Sequence, residues 1–364
     1  MFSLLVRVRS ACIIMDTRSE ERNESRIIGS LPDDVAMLCL AKVPRKFHVV
    51  LKCVCRRWRD LIGSEDWYAY RRKHNLSETW IYALCRDKFD RNRFFVLDPN
   101  SSRRCWKEIK ELPPRCLKRK GMGFHAIGKY LYLLGGCGWS EDATTEAYRF
   151  DASANTWHEI PSLSIPRCYF ACEVLNEKKI CAIGGLGSKL SNPHSWDTYD
   201  PLSSSWELRF NDTIISDVVD SVTFDGKIYL RGGAASTRPL LVHDPAAGEW
   251  SAGDADMEVG WQGPSVVADD TLYVLDQRSG TRLMMWVKEK AEWAAVGRLS
   301  PLLVRPSCQL VAMGKTIFVV GKGLKTVVIN VGNIGLRVMI CNSMFGLDSE
   351  EDDYDVVRCA CVAL

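Results

Sequence analysis

The sequence predicts a multidomain protein in which a short α-helical module precedes an all-β domain built from repeats. Two observations lead to this prediction. Beyond residue 79, glycine doublets and tryptophans recur at nearly constant spacing, which indicates a repeat architecture. Residues 30–73 lack these doublets and instead carry apolar residues at helical spacing.

The β-repeat is marked by glycine doublets, each of which ends an apolar run. Gly135-Gly136, Gly184-Gly185 and Gly232-Gly233 begin 49 and 48 residues apart. Tryptophans recur in step with the doublets, at Trp106, Trp157, Trp206, Trp250 and Trp293. Three of these tryptophans stand six residues after an aspartate. Two later apolar runs, 271–276 and 316–321, continue the repeat spacing without a glycine doublet.

Each unit predicts four short strands, the pattern of one blade of a β-propeller. In the second unit the strands are expected at 123–127, 130–134, 145–150 and 156–160. Glycine after the second strand tolerates close backbone approach, and aspartate supports the turn between the third and fourth strands. Tryptophan on the fourth strand supplies an apolar face that packs between neighbouring blades.

The ring is expected to contain six blades. Residues 79–86, 93–97 and 106–109 form three strands of a first blade that lacks its inner strand, and the β-rich run 355–364 has no blade of its own. We therefore predict that 355–364 returns as the inner strand of the first blade, which closes the ring without exposed edges. Six blades over residues 79–364 average about 48 residues, close to the observed spacings, whereas seven would average about 41.

The blade pattern resembles the kelch repeat over about residues 80–340. The resemblance is carried by the doublet after an apolar strand, by Glu146-Ala-Tyr148 or Asp197-Thr-Tyr199 after it, and by the tryptophan that follows. It is strong in three copies and weak in the others.

The N-terminal module is predicted to be helical. Leu31-Pro32-Asp33-Asp34 suits a helix start, because proline fits a first turn and acidic residues favour the positive end of the helix dipole. Pro44 interrupts the apolar pattern that follows, and a second amphipathic stretch runs from Leu51 to Ile62, with Cys53 and Cys55 on it. About forty residues are too few for a roomy core, so we expect an apolar face of this module to need a partner.

Three short motifs in this module are similar to the F-box: Leu31-Pro-Asp-Asp-Val35, Leu40-Ala-Lys-Val43-Pro44 and Val54-Cys55-Arg-Arg-Trp58-Arg-Asp-Leu61. We place a disordered N-terminal tail at 1–27, a three-helix F-box at 28–75 with a helical connector at 64–77, and a six-bladed kelch propeller at 79–364.

Two alternatives remain at this point. The first fifteen residues also suit a weak signal or transit sequence, and the helical module also suits a basic three-helix DNA reader.

An F-box followed by kelch blades resembles the plant F-box/kelch-repeat family of Skp-adaptor partners. The resemblance implies a non-catalytic substrate-recognition subunit of an SCF-type ubiquitin ligase, without cofactor or metal. It would dock on a Skp-type adaptor, and through it on cullin and RING subunits, while the propeller binds the target protein. The positions that match the family's adaptor-binding pattern are Leu31, Pro32, Val35, Leu40, Val43, Pro44, Leu51, Val54 and Trp58. The alternatives are a non-ligase kelch scaffold and a propeller enzyme, and the latter lacks visible metal ligands or paired acids.

Target binding is predicted on the face formed by the loops after the second and fourth strands of the blades. Large or basic residues expected there are Arg115, Trp139, Arg167, Trp196, Arg238, Trp261, Arg278 and Arg305. Because guanidinium groups suit carboxylates and phosphates, we hypothesise that this face binds an acidic or phosphorylated segment. The alternative is that these arginines bond neighbouring backbone and stabilise turns.

Charge and cysteine content exclude several classes of function. Lys and Arg number 48 and Asp and Glu 45, which leaves a net charge of +3 and no basic field for nucleic acid. No apolar run reaches the ~18 residues of a membrane span. Fifteen cysteines without any Cys-x-x-Cys spacing indicate buried, reduced thiols rather than zinc ligands or a disulfide framework. We expect the protein in the nucleus, the cytoplasm or both.

Overall fold

The computed structural model describes residues 26–101, 105–109, 112–187, 192–233, 236, 239–278, 281–300, 304, 307–332 and 354–364. It forms two compact units, one that ends at Glu78 and includes Leu364, and one that runs from Thr79 to Ala363. Of the predicted tail 1–27, residues 1–25 lie outside the described residues. No helix in the described ranges is long and apolar enough to cross a membrane.

The first unit is helical. Its helices are α1 (Asp33–Ala41), a 3₁₀ turn (Arg45–Phe47), α2 (His48–Lys52), α3 (Arg56–Gly63) and α4 (Glu65–Lys73). Helix α1 begins directly after Pro32 with two aspartates in its first turn, as the sequence indicates. Helix α4 is capped by Ser64, whose Oγ accepts a hydrogen bond from the Trp67 amide at 3.2 Å.

The amphipathic stretch from Leu51 to Ile62 is two helices rather than one, which corrects the sequence-based placement of Cys53 and Cys55 on a helix. Cys53 ends α2, and Cys55 is extended, with φ −156° and ψ 167°, and caps α3 through its thiol. The Trp58 amide donates to Cys55 Sγ at 3.5 Å. Apolar spacing runs through both helices, so periodicity alone does not mark the break between them.

The second unit contains six β-sheets arranged as a propeller, which confirms the predicted fold class. Blade 1 comprises β1 (Thr79–Arg86), β2 (Asn92–Leu97), β3 (Lys107–Ile109) and, as inner strand, β23 (Asp355–Ala363). Blade 2 comprises β4 (Gly123–Ile127), β5 (Tyr130–Leu134), β6 (Ala147–Asp151) and β7 (Thr156–Ile160). Blade 3 comprises β8 (Ala171–Leu175), β9 (Lys179–Ile183), β10 (Ser195–Asp200) and β11 (Ser205–Phe210).

The remaining blades continue in chain order. Blade 4 comprises β12 (Val218–Phe224), β13 (Lys227–Gly232), β14 (Leu240–Asp244) and β15 (Glu249–Ala252), followed by helix α5 (Ala255–Gly260). Blade 5 comprises β16 (Ser265–Ala268), β17 (Thr271–Asp276), β18 (Arg282–Val287) and β19 (Glu292–Arg298). Blade 6 has three strands among the described residues, β20 (Gln309–Met313), β21 (Thr316–Val320) and β22 (Thr326–Asn330).

The ring closes through the C-terminal strand. Strand β23 pairs antiparallel with β1, with Ile81 opposite Cys361 and Tyr82 opposite Ala360. It also contacts the inner strands of blades 6 and 2, so the six inner strands form a continuous ring around the axis. This arrangement leaves no unpaired inner edge on blade 1.

The recurring tryptophans of blades 1 to 5 each contact a neighbouring blade. Trp157 of blade 2 lies 5.5 Å from Phe94 of blade 1, measured between ring centroids. The Trp206 indole of blade 3 donates to the Pro161 carbonyl at 2.7 Å. Trp106 of blade 1 is buried and donates to Thr326 Oγ1 of blade 6 at 3.1 Å, which links the first blade to the last. The 43 to 51-residue spacing of the tryptophans therefore reflects one inter-blade contact per repeat.

Two of the doublets sit where the chain approaches the next blade. Gly135 and Gly184 have φ of +59° and +65°, which disfavours any residue with a Cβ. A Cβ at Gly135 would also overlap the carbonyl oxygen of Arg167, and one at Gly184 that of Ile215. The doublet is thus required by both backbone conformation and contact between blades.

Candidate functional site

A buried arginine holds the helical module together. Arg71 of α4 is 1% exposed, and its guanidinium donates to the carbonyl oxygens of Ala41, Val43 (3.2 Å) and Leu76 (2.6 Å). It also pairs with Glu78 Oε1 at 3.1 Å. These bonds tie the end of α1 to the segment that follows α4, so the module has a defined shape although it is small.

His48 of α2 packs beside this arginine. Its Nε2 lies 3.1 Å from the Val43 carbonyl and 3.4 Å from Arg71 Nη1, and its ring meets Trp67 edge-on at 5.7 Å. Burial, and then the positive charge of Arg71, lower the pKa of His48 from 6.5 to about 4. The imidazole is therefore neutral at pH 7.

Nine positions were predicted to bind an adaptor, and the structure divides them by exposure. Those exposed to solvent are Pro32, Val35, Pro44 and Val54; those half-buried are Leu31, Val43 and Trp58. Leu40 and Leu51 are buried, at 4% and 8% exposed, which corrects their assignment as adaptor contacts. Both point into the core of the module, because a helix with one apolar stripe uses part of it for packing.

Sequence reasoning missed two exposed valines on α2. Val49 and Val50 are 67% and 51% exposed, and Val54 just beyond the helix is 49% exposed. We call Val49, Val50 and Val54 the α2 valines. In the sequence, Val49 and Val50 are recognisable as two adjacent β-branched residues that lie outside the apolar stripe of Leu51.

Three of the residues predicted to face a target are buried, and their assignment is corrected. Arg167 is 1% exposed, and it donates to the carbonyl oxygens of Gly184 (2.9 Å) and Ser195 (3.0 Å), to Ser195 Oγ (2.9 Å) and to Asp197 Oδ2 (3.3 Å). It therefore serves the turn-stabilising role that sequence analysis named as the alternative. Burial is the main cause that lowers the pKa of its guanidinium, and Asp197 opposes this shift.

Trp196 and Trp261 are packing residues. Trp196 lies on strand β10 rather than in a loop, is 8% exposed, and packs against Trp250 of the next blade at 5.4 Å. Trp261 is 0% exposed, and its indole donates to Asp220 Oδ2 at 2.9 Å. Large aromatic residues near loops were misassigned because blade junctions and loop tips use the same residue types.

The remaining five predicted target residues have different outcomes. Arg115 and Trp139 are exposed, at 72% for the Arg115 side chain and 90% for Trp139, and both line one groove. Arg278 is exposed directly after β17, where its amide donates to Asp276 Oδ1 at 2.9 Å. Arg238 and Arg305 lie outside the described residues.

The groove between blades 1 and 2 also contains an aromatic residue that sequence analysis missed. Phe89, in the β1–β2 loop, is 66% exposed and lines the same groove as Trp139 and Leu117. Its signal was an aromatic residue within the polar turn Lys88-Phe89-Asp90-Arg91. We call this surface the Phe89–Trp139 groove.

Ion pairs hold the walls of the Phe89–Trp139 groove. Glu146 accepts from Arg115 at 2.6 Å and from Arg119 at 2.9 Å. Lys120 Nζ bonds Asp90 at 2.8 Å and lies 5.3 Å from the ring centroid of Trp139, which connects the two aromatic loops. Burial raises the pKa of Glu146, but its hydrogen bonds from basic and phenolic groups outweigh this and hold that pKa below its usual range. The groove is therefore preformed.

The described residues contain no group of three or more His, Cys, Asp or Glu side chains that could hold a metal ion.

Comparisons with known proteins match both units of the chain. The F-box domain model matches residues 28–70, and the FKB95 Kelch-repeats domain model matches residues 80–353. F-box/kelch-repeat protein SKIP4 of Arabidopsis thaliana is 46% identical over 97% of this chain and 100% of its own length. F-box/kelch-repeat protein At1g67480 of Arabidopsis thaliana is 27% identical over 76% of this chain and 74% of its own length. A helical module with outward-facing valines followed by a six-bladed propeller agrees with these matches, and the chain belongs to the F-box/kelch-repeat family.

Proposed function

We propose that this chain is the substrate-recognition subunit of an SCF-type ubiquitin ligase complex. Its helical module docks on a Skp-type adaptor, which connects it to cullin and RING subunits, and its propeller binds the target protein. The observation that carries the proposal is the exposure of the α2 valines in a module whose own core is already filled. The chain itself performs no chemistry in this role, and we propose that it acts in the nucleus, the cytoplasm or both.

The adaptor-docking step is driven by burial of apolar surface. Complete burial of a valine side chain contributes about 1.5–3 kcal/mol, so side chains that are half exposed retain on the order of 1 kcal/mol each for a partner. Val35, Pro32 and Pro44 add further exposed apolar surface on the same module. Exposed apolar side chains of this kind gain free energy when a partner covers them.

The target-binding step is assigned to the Phe89–Trp139 groove. Exposed aromatic rings suit a segment that carries an apolar side chain. Arg115 pairs with Glu146 through Nη1 alone, so its exposed guanidinium retains donors for an acidic group of that segment. Arg115 and Arg278 are the predicted arginines that remain exposed on the propeller. Holding a target there would raise the effective concentration of its lysines near a conjugating enzyme carried by the same complex.

The docking step is tested by co-purification of the full chain with a Skp adaptor and a cullin. Replacing two of the α2 valines, V50D with V54D, should reduce adaptor capture at least tenfold, because a charge placed in an apolar interface must be desolvated without a partner. The matched control is V259D, since Val259 is 71% exposed on the propeller helix α5. Failure of the unaltered chain to capture adaptor and cullin would contradict the ligase role and favour a non-ligase scaffold.

The target-binding step is tested separately by proximity labelling in plant cells. The double variant F89A with W139A should lose specific labelled proteins while adaptor capture is unchanged. Leu202 is 94% exposed at the turn between β10 and β11, so L202A is a matched control that removes an exposed apolar side chain elsewhere. An identical labelling pattern for F89A/W139A and the unaltered chain would exclude the groove as the target site.

A further inference from the structure

The axial channel of the propeller is lined by polar side chains from the inner strands of all six blades. The inner strands contribute His125 (β4), Glu173 (β8), Asp220 (β12), Ser265 (β16), Gln309 (β20) and Arg358 (β23). The channel encloses about 360 Å³, which lies in the size range of small-molecule sites. Three of these side chains, Glu173, Asp220 and Arg358, belong to acidic or basic residues.

The positive charge in the channel is not neutralised by a carboxylate. Arg358 is half-buried, and its only hydrogen bond among the described residues is a long one, 3.4 Å, from Nη1 to the Val357 carbonyl. None of the ion pairs within 4.0 Å between described residues involves Arg358. A guanidinium has five N–H donors in a fork that fits a carboxylate, so most of its donors are available to a ligand.

The negative charges in the channel are likewise held by neutral donors. Glu173 is 6% exposed and accepts from Ser221 Oγ at 2.6 Å and from Thr223 Oγ1 at 2.9 Å. These bonds hold the carboxylate in one position, and no basic group lies within 4.0 Å of it in the described structure. A carboxylate has about four acceptor sites, so it retains capacity for a further donor.

Asp220 shows the same arrangement in blade 4. It accepts from the Trp261 indole at 2.9 Å and from Ser265 Oγ at 2.8 Å, again without a basic partner within 4.0 Å among described residues. Burial raises the pKa of this carboxyl, and the positive charge of Arg358 opposes that shift.

Acidic and basic side chains thus line one channel, and no ion pair within 4.0 Å joins them among the described residues. Arg358, Glu173 and Asp220 belong to blades 1, 3 and 4, so the packing of three separate blades sets their backbone positions. Buried charges normally pair, because an unpaired one loses its hydration without compensation. A ligand that carries both a negative and a positive group would bond to Arg358 and to the carboxyl groups of Glu173 and Asp220 at the same time.

We propose that the axial channel binds a small zwitterion of the α-amino-acid type, with its carboxylate on Arg358 and its ammonium group directed to Glu173 and Asp220. Access is through the end of the channel at which the inner strands begin. Arg358 also lines that opening, together with the exposed side chains of Tyr169, Leu186 and Val219.

The proposal is tested by thermal unfolding of the full chain with the standard α-amino acids at about 1 mM, which is roughly tenfold above a Kd of about 0.1 mM. At least one should raise the propeller Tm by about 2–4 °C, the effect of a ligand present at roughly tenfold its Kd. Acetate and methylammonium, which each carry one of the two charges, should have no such effect. A panel in which no amino acid raises the Tm, or in which acetate alone does so equally, would overturn the proposal.

Variants locate the ligand within the channel. R358Q and E173Q should each abolish the shift, whereas R209Q should retain it, because the Arg209 side chain is 57% exposed on the outer strand β11. If R358Q does not fold, R358K keeps the charge without the fork, and isothermal titration should then show at least tenfold weaker binding. A shift that survives R358Q or R358K unchanged would place the ligand elsewhere and refute this assignment.

Discussion

Replacing Arg167 by methionine should destabilise the propeller strongly, because Arg167 is almost completely buried. The change leaves Asp197, which is 0% exposed, without its cation and removes a donor from the carbonyl oxygens of Gly184 and Ser195. At the 3.3 Å separation of Arg167 Nε and Asp197 Oδ2, two charges attract by about 5 kcal/mol at an effective dielectric constant near 20. Removing one partner of a buried pair costs about 3–5 kcal/mol.

The assay is thermal unfolding of the full chain followed by near-ultraviolet circular dichroism, which reports the packed tryptophans. At about 2–4 °C per kcal/mol for a domain of this size, R167M should lower the propeller Tm by roughly 6–20 °C. R209M is the control, since it breaks an exposed pair with Glu207 that should contribute between 0 and about 1 kcal/mol. The double variant R167L with D197L should recover part of the loss, because it removes the unpaired charge. An unchanged Tm for R167M would refute the structural role assigned to Arg167.

Three further predictions concern the helical module, the doublets and the closing strand. Because the folded pKa of His48 is about 4 against 6.5 in the unfolded chain, the unfolded state binds the proton more readily. The free energy of unfolding should thus be about 3 kcal/mol lower at pH 4 than above pH 6.5. H48Q should remove this pH dependence, as measured by denaturant titrations at a series of pH values. G135A should cost more stability than G248A in urea unfolding, since both have positive φ but only Gly135 faces a neighbouring carbonyl oxygen; equal costs, each about 1 kcal/mol, would show that the contact is unimportant. Deleting residues 355–364 removes the buried Val356 and Val362 from blade 1 and exposes the edge of β1. We expect loss of several kcal/mol and concentration-dependent aggregation by light scattering, and a monomeric, cooperatively melting product would contradict the closure.

The architecture was predictable because each repeat must satisfy the same physical requirement. Trp157 and Trp206 recur at fixed spacing since each blade packs one indole against its predecessor, and Asp151 and Asp200 precede them because each accepts hydrogen bonds from the backbone of the following turn. The strand at 355–364 was recognisable because it had β character and no blade of its own. Such local rules act within about fifty residues and are visible in one chain.

The candidate sites were less predictable, because exposure depends on contacts between residues that are far apart in sequence. Arg167 and Arg115 both adjoin a proline before or within a loop and look alike in the sequence. Only the folded ring shows that Arg167 faces Asp197, thirty residues away, while Arg115 remains outside. Likewise, Val50 and Leu51 are adjacent apolar residues of one short helix, and packing decides that Leu51 is core and Val50 is surface.

The amino-acid sequence by itself determined the two-part organisation, the six-bladed ring and its closing strand, because periodicity and turn chemistry are local properties of the chain. Only the tertiary structure decided which apolar residues of the helical module face outward and which arginines are buried. It also brought Arg358, from the last ten residues, into one channel with Glu173 and Asp220. Ring closure places residues of six distant segments around a single axis, and no pattern within any one of those segments records which side chains will meet there.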